Sequence, residues 1–291
     1  MKSISLILLI SLTFASCQDF GKMRYVTQLP GELKETSGIE IFSNDGSVWV
    51  IEDSGNKDHL YKVDSTGVLI KEIKVKNAKN KDWEDLAKDD KGNLYIGDFG
   101  NNHNNRKDLT IYKVPNPDST KTKSLTAEKI TFYFPEQISF PPNPRELLYD
   151  VESFIYYEHY LYLFTRNRMP KKLFDGRSLV YKIPAMPGNH RAVLVDQFVS
   201  CEESINCQIS SAAISPDKTK IALLSYDKIW ILSEFEGDDF FKGKVTMIDL
   251  GHASQKEGVC FKDDQTLYIA DEIGKKKSGR NIYEFSLKAE P

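Results

Sequence analysis

The sequence predicts an all-β fold built from five repeated units, and three observations lead to this prediction. Short apolar strands such as Leu-Tyr-Ile recur along the chain, each after a turn signal and before a strand that carries an aromatic residue. Tyr and Phe, with 14 and 16 copies, favour strands. The last unit lacks a fourth strand, and the alternating stretch 24–29 can supply it. We therefore predict a five-bladed β-propeller with four antiparallel strands per blade, in which the N-terminal strand closes the last blade.

Segments of similar character begin the five units, and four of the five turns that follow them carry Gly, Asp or Pro. The predicted first strands are 37–42, 84–89, 152–157, 211–216 and 257–262. The predicted second strands are 48–51, 94–97, 161–164, 221–224 and 267–270. The second strands are short and mostly apolar, which is typical of strands that are buried on both faces.

The third strand of each unit carries an aromatic residue at the same place. These strands are 59–63, 110–114, 179–183, 228–232 and 281–285, and the aromatic residues are Tyr61, Tyr112, Tyr181, Trp230 and Tyr283. Fourth strands follow at 69–75, 127–134, 191–199 and 244–250. Residues 17–291 provide about 55 residues per unit, a period near that of kelch-like propellers. The alternative is an open sandwich of hairpins, which does not explain why the missing strand stands at the other terminus.

Residues 1–16 predict a lipoprotein signal peptide. The twelve-residue apolar run that ends at Ala15 is too short to span a bilayer but has the length of a signal-peptide core. It is followed by Phe-Ala-Ser and then Cys17, which resembles the lipobox of bacterial lipoproteins. That resemblance implies that Cys17 becomes the lipidated mature N-terminus. The alternative is an ordinary secretory cleavage in which Cys17 is incidental.

Export and lipidation predict where the protein acts. We expect a lipid-anchored protein of the bacterial cell envelope, facing the periplasm or the cell surface, that touches the membrane only through its N-terminal lipid. Residues 17–22 form the predicted tether, and residues 23–291 form a single propeller domain. Outside the cytoplasm, Cys201 and Cys207 can close a small disulfide loop. Cys260 lies in an apolar run and is read as a small buried residue.

The charge balance excludes one class of partner. The chain has 39 Lys and Arg against 42 Asp and Glu, and a formal net charge of −3. A chain without a basic excess does not attract polyanions, so we expect no nucleic-acid binding. We expect a monomer whose partner is a small anionic substrate or another ligand of the envelope.

The first position of the predicted first strands carries three carboxylates and two hydroxyls, which would meet at the propeller axis. They are Ser37, Glu84, Glu152, Ser211 and Glu257. Carboxylates gathered in a shielded channel repel one another unless a cation neutralises them. Calcium accepts six to eight oxygen ligands, and no softer ligand stands at the ring. The alternatives are that these Glu residues pair with Lys or Arg, such as Arg145 or Lys256, or that the ion is a purely structural peg.

The ordered ring resembles that of a known family, the five-bladed calcium-activated nucleotidases or apyrases. In that family a central calcium is held by Ser, Glu, Glu, Ser and Glu in the same blade order, so the resemblance implies calcium as the cofactor. The surrounding segments 82–87, 151–154, 210–213 and 256–259 look like the ring motifs of the family. The resemblance covers all five blades. The blade pattern is also similar to secreted phytase-like and lactonase-like propellers, so the fold alone carries no function.

Polar residues at the ends of the second strands predict chemistry above the ion. Asp98, Glu52 or Asp53 could orient a water molecule, and Arg166 with Arg168 could clamp an anionic oxygen. The nucleotidase family also has arginines after the second strand of blade three. It has Asp-Asp-Arg after blade one, where this chain has Glu-Asp-Ser, and a glycine-rich segment around the position of Asp98. The alternative is that these residues cap strands and hydrate a rim.

Two functions remain open from the sequence. The first is a calcium-dependent hydrolase of a phosphorylated or otherwise anionic small substrate. The second is a non-catalytic envelope propeller that binds a ligand or serves as a scaffold, with calcium as a structural ion. The chain has no GxSxG, P-loop or HExxH motif.

Overall fold

The computed structural model of the chain describes residues 19–201, 205–274 and 278–288. The predicted signal peptide, residues 1–16, and the predicted lipidation site Cys17 lie outside these ranges. In chain order the strands are β1 Arg24–Gln28, β2 Thr36–Glu40, β3 Val48–Glu52, β4 His59–Val63, β5 Leu69–Lys76, β6 Trp83–Lys88, β7 Leu94–Asp98, β8 Thr110–Val114, β9 Ser124–Thr126, β10 Glu128–Tyr133, β11 Asp150–Tyr157, β12 Tyr160–Arg166, β13 Arg177–Pro184, β14 Gly188–Arg191, β15 Val193–Val199, β16 Ser211–Ile214, β17 Lys220–Leu224, β18 Lys228–Ser233, β19 Lys244–Asp249, β20 Lys256–Asp263, β21 Thr266–Asp271 and β22 Asn281–Ser286. Two short 3₁₀ turns cover Ile205–Cys207 and Phe240–Lys242.

These strands form five sheets, one for each blade, so the predicted five-bladed propeller is confirmed. From the axis outwards the blades are β2-β3-β4-β5, β6-β7-β8-β10, β11-β12-β13-β15, β16-β17-β18-β19 and β20-β21-β22-β1. The N-terminal strand closes the last blade as predicted, because β1 pairs antiparallel with β22 from Arg24 opposite Glu284 to Gln28 opposite Asn281. Because the last blade combines strands from both ends of the chain, the ring of blades has no open junction between its first and last members.

Two blades carry a fifth strand that the sequence pattern did not indicate. β9 pairs in parallel with β5, and β14 pairs in parallel with β10. Both added strands come from the connection between the third and fourth strands of the following blade. They have only three and four residues, too few to show a strand period, and they cover edges that would otherwise expose unpaired backbone groups.

The core lies between neighbouring blades, because both faces of the inner strands are buried. Every residue of β3 and β7 is buried. One apolar cluster joins Trp49 and Ile51 of the first blade to Trp83 and Leu86 of the second. Strands buried on both faces need continuous apolar runs, which explains why the second strands show no alternation.

The channel narrows two residues after the start of β2 and of β6. The side chain of Asp85 accepts hydrogen bonds from the amides of Leu86, Phe154 and Ala212 at 2.9, 3.3 and 3.2 Å and from the Ser211 hydroxyl at 3.1 Å. These donors belong to the second, third and fourth blades, so the carboxylate reaches across the axis. A Cβ atom at Gly38 would lie 2.9 Å from the Asp85 Cα. The channel is therefore closed at this level.

Part of the predicted tether packs against the propeller. The Phe20 ring lies 5.1 Å from that of Tyr283 and 5.6 Å from that of His252, and the Lys22 amide donates to the Leu250 carbonyl at 2.8 Å. Across the described ranges, no helix combines the length and the apolar character needed to cross a membrane. Cys201 and Cys207 form a disulfide, and Cys260 is a free, buried thiol.

Candidate metal centre at the channel mouth

A β-bulge at the start of the first strand projects one side chain per blade toward the channel mouth. In the first blade Thr36 pairs with Glu52 and Gly38 with Ile51, which leaves Ser37 as the extra residue. The second, third and fifth blades have the same shift. Their extra residues are Glu84, Glu152 and Glu257.

In the fourth blade the equivalent residue is Ser210 rather than Ser211. Ser211 pairs with Leu224, as Gly38 pairs with Ile51, so Ser211 stands one position below the ring. The Ser210 hydroxyl donates to the Lys256 carbonyl at 2.6 Å, and the Ser37 hydroxyl makes the same contact with the Trp83 carbonyl at 2.6 Å. The sequence repeat therefore predicts the ring residue of this blade one position too late, because no acidic residue marks the position.

Three carboxylates form the densest acidic group of the mouth. Asp53, Asp82 and Glu84 each place one oxygen within 4.8 Å of the others. None of the three forms an ion pair with a described Lys or Arg side chain. Among the described residues no donor is hydrogen-bonded to Glu84, although only 8% of this residue is exposed. An unpaired buried carboxylate is costly, and a divalent cation would remove the cost.

The electrostatics of this group favour bound cations or protons. Burial, reinforced by the charges of Glu152 and Asp53, raises the pKa of Glu84 well above its usual value. Burial and the neighbouring Asp53 raise the pKa of Asp82 to about 7. Burial also raises the pKa of Asp53. Each of the three groups therefore binds a proton more readily than a free carboxyl group does, and a bound cation would compete with those protons.

Gly100 leaves room for the acidic group. A Cβ atom at this position would lie 2.0 Å from Glu84 Oε1 and 2.5 Å from Asp82 Oδ2. Any side chain there would displace both carboxylates. The glycine after the second strand of the second blade therefore opens the space in which the oxygens of Asp82 and Glu84 converge.

Glu152 differs from Glu84 because two arginines neutralise it. Arg166 Nη1 lies 2.9 Å from Glu152 Oε2, and Arg168 Nη2 lies 2.5 Å from Glu152 Oε1. Arg168 also pairs with Asp150 through Nε. Burial alone would raise the pKa of Glu152, but Arg166 and Arg168 outweigh burial and lower it. The two arginines predicted to clamp a substrate are thus engaged by carboxylates of their own blade.

Tyr226 connects Arg166 to the third acidic residue of the ring. Its hydroxyl accepts from Arg166 Nη2 at 3.1 Å and donates to Glu257 Oε1 at 2.8 Å. Burial raises the pKa of Glu257 to about 7, with Arg166 opposing and Glu152 reinforcing the shift. Burial and the nearby Glu257 raise the pKa of Glu272 to about 8. This side of the mouth is therefore acidic as well.

The predicted catalytic residues Glu52 and Asp98 have structural contacts. Glu52 Oε1 accepts from the Lys34 amide at 3.1 Å. Asp98 pairs with Arg106 at 3.0 Å and accepts from the Tyr112 hydroxyl at 3.3 Å. The equivalent residue of the fifth blade, Asp271, accepts from the Tyr283 hydroxyl at 2.7 Å. The bonds from Tyr112 to Asp98 and from Tyr283 to Asp271 link a second strand to the repeated aromatic residue of the third strand. Side chains at this position of the second strand therefore stabilise the blades. The next residue along the chain is the one that reaches the channel mouth. In the first, third and fifth blades it is Asp53, Arg166 and Glu272.

The sequence prediction missed Asp82 and Tyr226. Asp82 stands two residues before Glu84, and polar residues occupy the same position in every blade. They are Glu35, Asp82, Asp150, Gln208 and Gln255. Gln208 accepts from Arg166 Nε at 2.9 Å, and Asp150 pairs with Arg168. A repeat alignment anchored on this position would have found Asp82 and would also have placed Ser210 in the ring.

Comparison with known proteins adds a family. The family model described as SdiA-regulated matches residues 18–273. The chain belongs to the SdiA-regulated family. The resemblance of the ring to that of the calcium-activated nucleotidases stays a prediction from the sequence. The search of curated proteins finds no match for this SdiA-regulated propeller.

Solved structures with similar chains include three proteins of different activity. An aldose sugar dehydrogenase from Streptomyces coelicolor, described as bound to PQQ, has 13% identity and a TM-score of 0.49, with 91% of this chain and 98% of that chain covered. Hydrazine synthase from Kuenenia stuttgartiensis has 11% identity and a TM-score of 0.46. A gluconolactonase from Xanthomonas campestris has 11% identity and a TM-score of 0.45. For the last two, 87% of this chain and 72% of the other are covered. These likenesses are too distant to indicate a substrate or cofactor for the SdiA-regulated propeller.

Proposed function

We propose that this SdiA-regulated propeller is a calcium-binding protein of the bacterial cell envelope that hydrolyses a small anionic substrate at the channel mouth. The observation that supports the proposal is the convergence of Asp53, Asp82 and Glu84 within 4.8 Å, without a paired cationic side chain among the described residues. Oxygen-only donor sets suit calcium, which tolerates irregular coordination better than magnesium does.

The residues present fit a calcium ion. Asp53, Asp82 and Glu84 would hold it, and Gly100 keeps the space beside them free of a side chain. The bound ion would supply a Lewis acid that polarises an oxygen of the substrate. Glu257 and Glu272 have raised pKa values, of about 7 and about 8, which suit proton transfer near neutral pH. Tyr226 would hold the Glu257 carboxylate in position through its 2.8 Å hydrogen bond.

The ion pairs formed by Arg166 and Arg168 favour a second function. Arg166 and Arg168 are paired with Glu152 and Asp150, so neither presents an unpaired guanidinium to a phosphate group. That pairing favours a non-catalytic propeller in which calcium stabilises the mouth and the loops bind a ligand of the envelope. The two functions share the ion and differ in turnover.

One assay separates the two functions. Phosphate release from nucleotides, sugar phosphates and phytate would be measured with calcium and then with a chelator, using the wild-type protein and Glu84→Gln. The hydrolase proposal expects calcium-dependent release that Glu84→Gln abolishes. Calcium binding by calorimetry without release from any of these substrates would favour the binding propeller instead. Glu128→Gln, an exposed carboxylate outside the mouth, is the matched control.

The envelope location rests on the sequence of the N-terminus. We propose that Cys17 carries the lipid and that the propeller is held at a membrane through it alone. Fractionation of cells that express the wild type and Cys17→Ser tests this location. The wild type should enter the membrane fraction and incorporate labelled fatty acid, and Cys17→Ser should do neither. Equal fractionation of both forms would contradict the anchoring.

A further inference from the structure

Two apolar side chains are exposed on the mouth side of the propeller, where the second blade meets the third. They are Ile138, which is 91% exposed, and Phe140, which is 37% exposed. Both belong to the connection 134–149, which runs from the end of β10 to β11 and so leads to Glu152 of the ring. We name these two residues the apolar tip. Neighbouring exposed apolar side chains mark a contact surface more than scattered single ones do.

The connection that carries the apolar tip is fixed at its base. Gln137 Nε2 donates to the Asn104 carbonyl at 2.7 Å, and the Tyr149 amide donates to Asn104 Oδ1 at 2.7 Å. Gln137 and Asn104 are both buried, although Gln137 directly precedes the exposed Ile138. The fold therefore holds the tip outward on a buried polar support.

Basic side chains without an ion-pair partner among the described residues surround the apolar tip. They are Lys107, Arg145, Lys171 and Lys172, and all four are exposed. The Lys107 ammonium lies 4.7 Å from the centre of the Phe140 ring. Arg145 belongs to the same connection as the tip, and the two other lysines belong to the connection 167–176. These two connections are joined by the hydrogen bond from the Arg168 amide to the Leu147 carbonyl at 2.8 Å.

The charge around the apolar tip favours an anionic surface as its partner. Asp108 and Asp175, which belong to these connections, are already paired with Arg106 and Arg177. Glu136 and Glu146 are the remaining carboxylates of the described connections, two against four unpaired cations. Apolar side chains among unpaired Lys and Arg suit a bilayer with anionic lipids, because the apolar groups enter the interface while the cations meet the headgroups.

The predicted tether approaches the same side of the propeller. Phe20 contacts the ring of His252, and the Lys22 amide donates to the Leu250 carbonyl. His252 and Leu250 belong to the connection that leads from β19 to Glu257 of the ring. Cys17 stands two residues before Asp19, the first described residue, so a chain of this length keeps it within roughly 7 Å of Asp19. The tether and the apolar tip therefore lie two blades apart around the mouth.

We propose that the propeller lies with its channel mouth toward an anionic bilayer. The lipid on Cys17 holds one side of the mouth, and the apolar tip holds the other. Ile138 enters the interface between headgroups and acyl chains, and the four basic side chains meet lipid phosphates. The first of these contacts rests on the proposed envelope location, whereas neither needs calcium or hydrolysis. The carboxylates of the mouth then face the membrane surface.

The test attaches the protein to vesicles at Cys17 and measures which face meets the lipid. The mature chain, residues 17–291, keeps every described strand, because β1 begins at Arg24. Its Cys17 thiol is coupled to a maleimide lipid in vesicles of equal parts phosphatidylcholine and phosphatidylglycerol. Cys260 is buried and Cys201 is bonded to Cys207, so the coupling is directed to Cys17. A chelator is present throughout, so that calcium cannot bridge the protein and the lipid.

Tryptophan fluorescence reports the contact. The chain's three native tryptophans are at most 3% exposed, so lipids brominated on their acyl chains quench only an added, exposed indole. We expect these lipids to remove about half of the emission added by Ile138→Trp. They should leave the emission added by Met186→Trp unchanged, because Met186 is 58% exposed in the turn between β13 and β14, on the far side of the third blade. Phe140→Trp serves as a second reporter if Ile138→Trp does not fold.

The lipid charge and the basic side chains are tested in the same way. Quenching of Ile138→Trp should fall in vesicles of phosphatidylcholine alone, and also when Lys171→Glu and Lys172→Glu are added. Equal quenching of Ile138→Trp and Met186→Trp would overturn the inference, as would quenching of neither while the protein stays on the vesicles. The latter result would favour a protein partner for the apolar tip. Because the coupling is chemical, none of these results depends on lipidation in cells, which the fractionation of Cys17→Ser tests separately.

Discussion

Arg166 Nη1 lies 2.9 Å from Glu152 Oε2, inside the ring where the sequence places a calcium ligand. The same guanidinium donates to Gln208 and Tyr226, so Nε, Nη1 and Nη2 each have a partner within the protein. The ring is therefore divided into two halves. Glu152 is neutralised by arginines, whereas Glu84 with Asp53 and Asp82 lacks a paired cation among the described residues. The calcium ion is expected in the second half.

Glu84→Gln should abolish the effect of calcium on stability. For the wild type, calcium at a hundred times its Kd adds about 2.7 kcal/mol to the free energy of unfolding. In Glu84→Gln the melting temperature should no longer respond to calcium. Without calcium the variant should melt at or above the wild-type temperature, since a buried carboxylate surrounded by like charges is removed. Scanning calorimetry with and without chelator measures both effects, and Glu128→Gln serves as the control that keeps the wild-type response.

The stability of the calcium-free protein should fall as pH rises from 5 to 8. The pKa values of Asp82 and Glu257 are about 7 and that of Glu272 is about 8, all above the ordinary carboxylate range. Between about pH 4 and these values the folded state holds more protons than the unfolded state, so the free energy of unfolding decreases with pH. His252, with a lowered pKa, contributes in the opposite direction but is one group against three.

Calcium should remove this pH dependence, because a bound cation replaces the protons. The measurement is the melting temperature across pH 5 to 8 with chelator and with calcium. A melting temperature that rises with pH in chelator would show that the acidic group does not hold protons in the fold. Calcium affinity should increase over the same interval, since fewer protons compete for the same oxygens.

Arg166→Met should destabilise the protein strongly. The substitution leaves Glu152 buried with one arginine instead of two, and removal of one partner of a buried ion pair costs about 3–5 kcal/mol. Adding Glu152→Gln to Arg166→Met should restore much of the loss, because the uncompensated charge is then gone. Denaturant unfolding of the four proteins of this double-mutant cycle measures the coupling. Arg145→Ala, at an exposed position, should change the free energy of unfolding little.

Asp98→Asn should lower stability without changing calcium binding. Its carboxylate is engaged by Arg106 and Tyr112 and also accepts from the Asp82 amide at 3.1 Å, a bond that the Asn side-chain oxygen can keep, and it supplies no oxygen to the group formed by Asp53, Asp82 and Glu84. We expect a loss of about 2 kcal/mol, the scale of a hydrogen bond to a charged group. Calorimetric titration should give the wild-type Kd for calcium. A large loss of calcium affinity would place Asp98 in the metal site and contradict its structural role.

The fold could be predicted from the sequence because the repeat is carried by apolar strands and turns. Each blade needs the same strand pattern. The closing strand can be recognised because one extra strand precedes the first unit and the last unit lacks its fourth strand. The two added parallel strands β9 and β14 could not be found, since three or four residues show no period and their partners belong to another blade. The register of the fourth blade was harder to predict than the positions of its strands. Ser210 and Ser211 are chemically identical, and only the pairing of Ser211 with Leu224 distinguishes them.

The candidate site was predictable in part. The ring position indicates where side chains project toward the channel mouth, but the sequence does not show which of its carboxylates have partners. Arg166 and Arg168 look available in a polar loop, yet the fold places both beside Glu152. Asp82 was visible as the residue two positions before Glu84, and only the three-dimensional proximity to Asp53 marks it as a ligand candidate.

A crystal structure of the wild-type protein grown in about 1 mM calcium, the concentration range of extracellular calcium modules, tests the central claim most directly. We expect an anomalous peak with oxygens of Asp53, Asp82 and Glu84 at about 2.3–2.6 Å from it, and with Glu152 still paired to Arg166. A peak held by Glu152 and Glu257 instead, or no peak among the carboxylates of the mouth, would contradict the account.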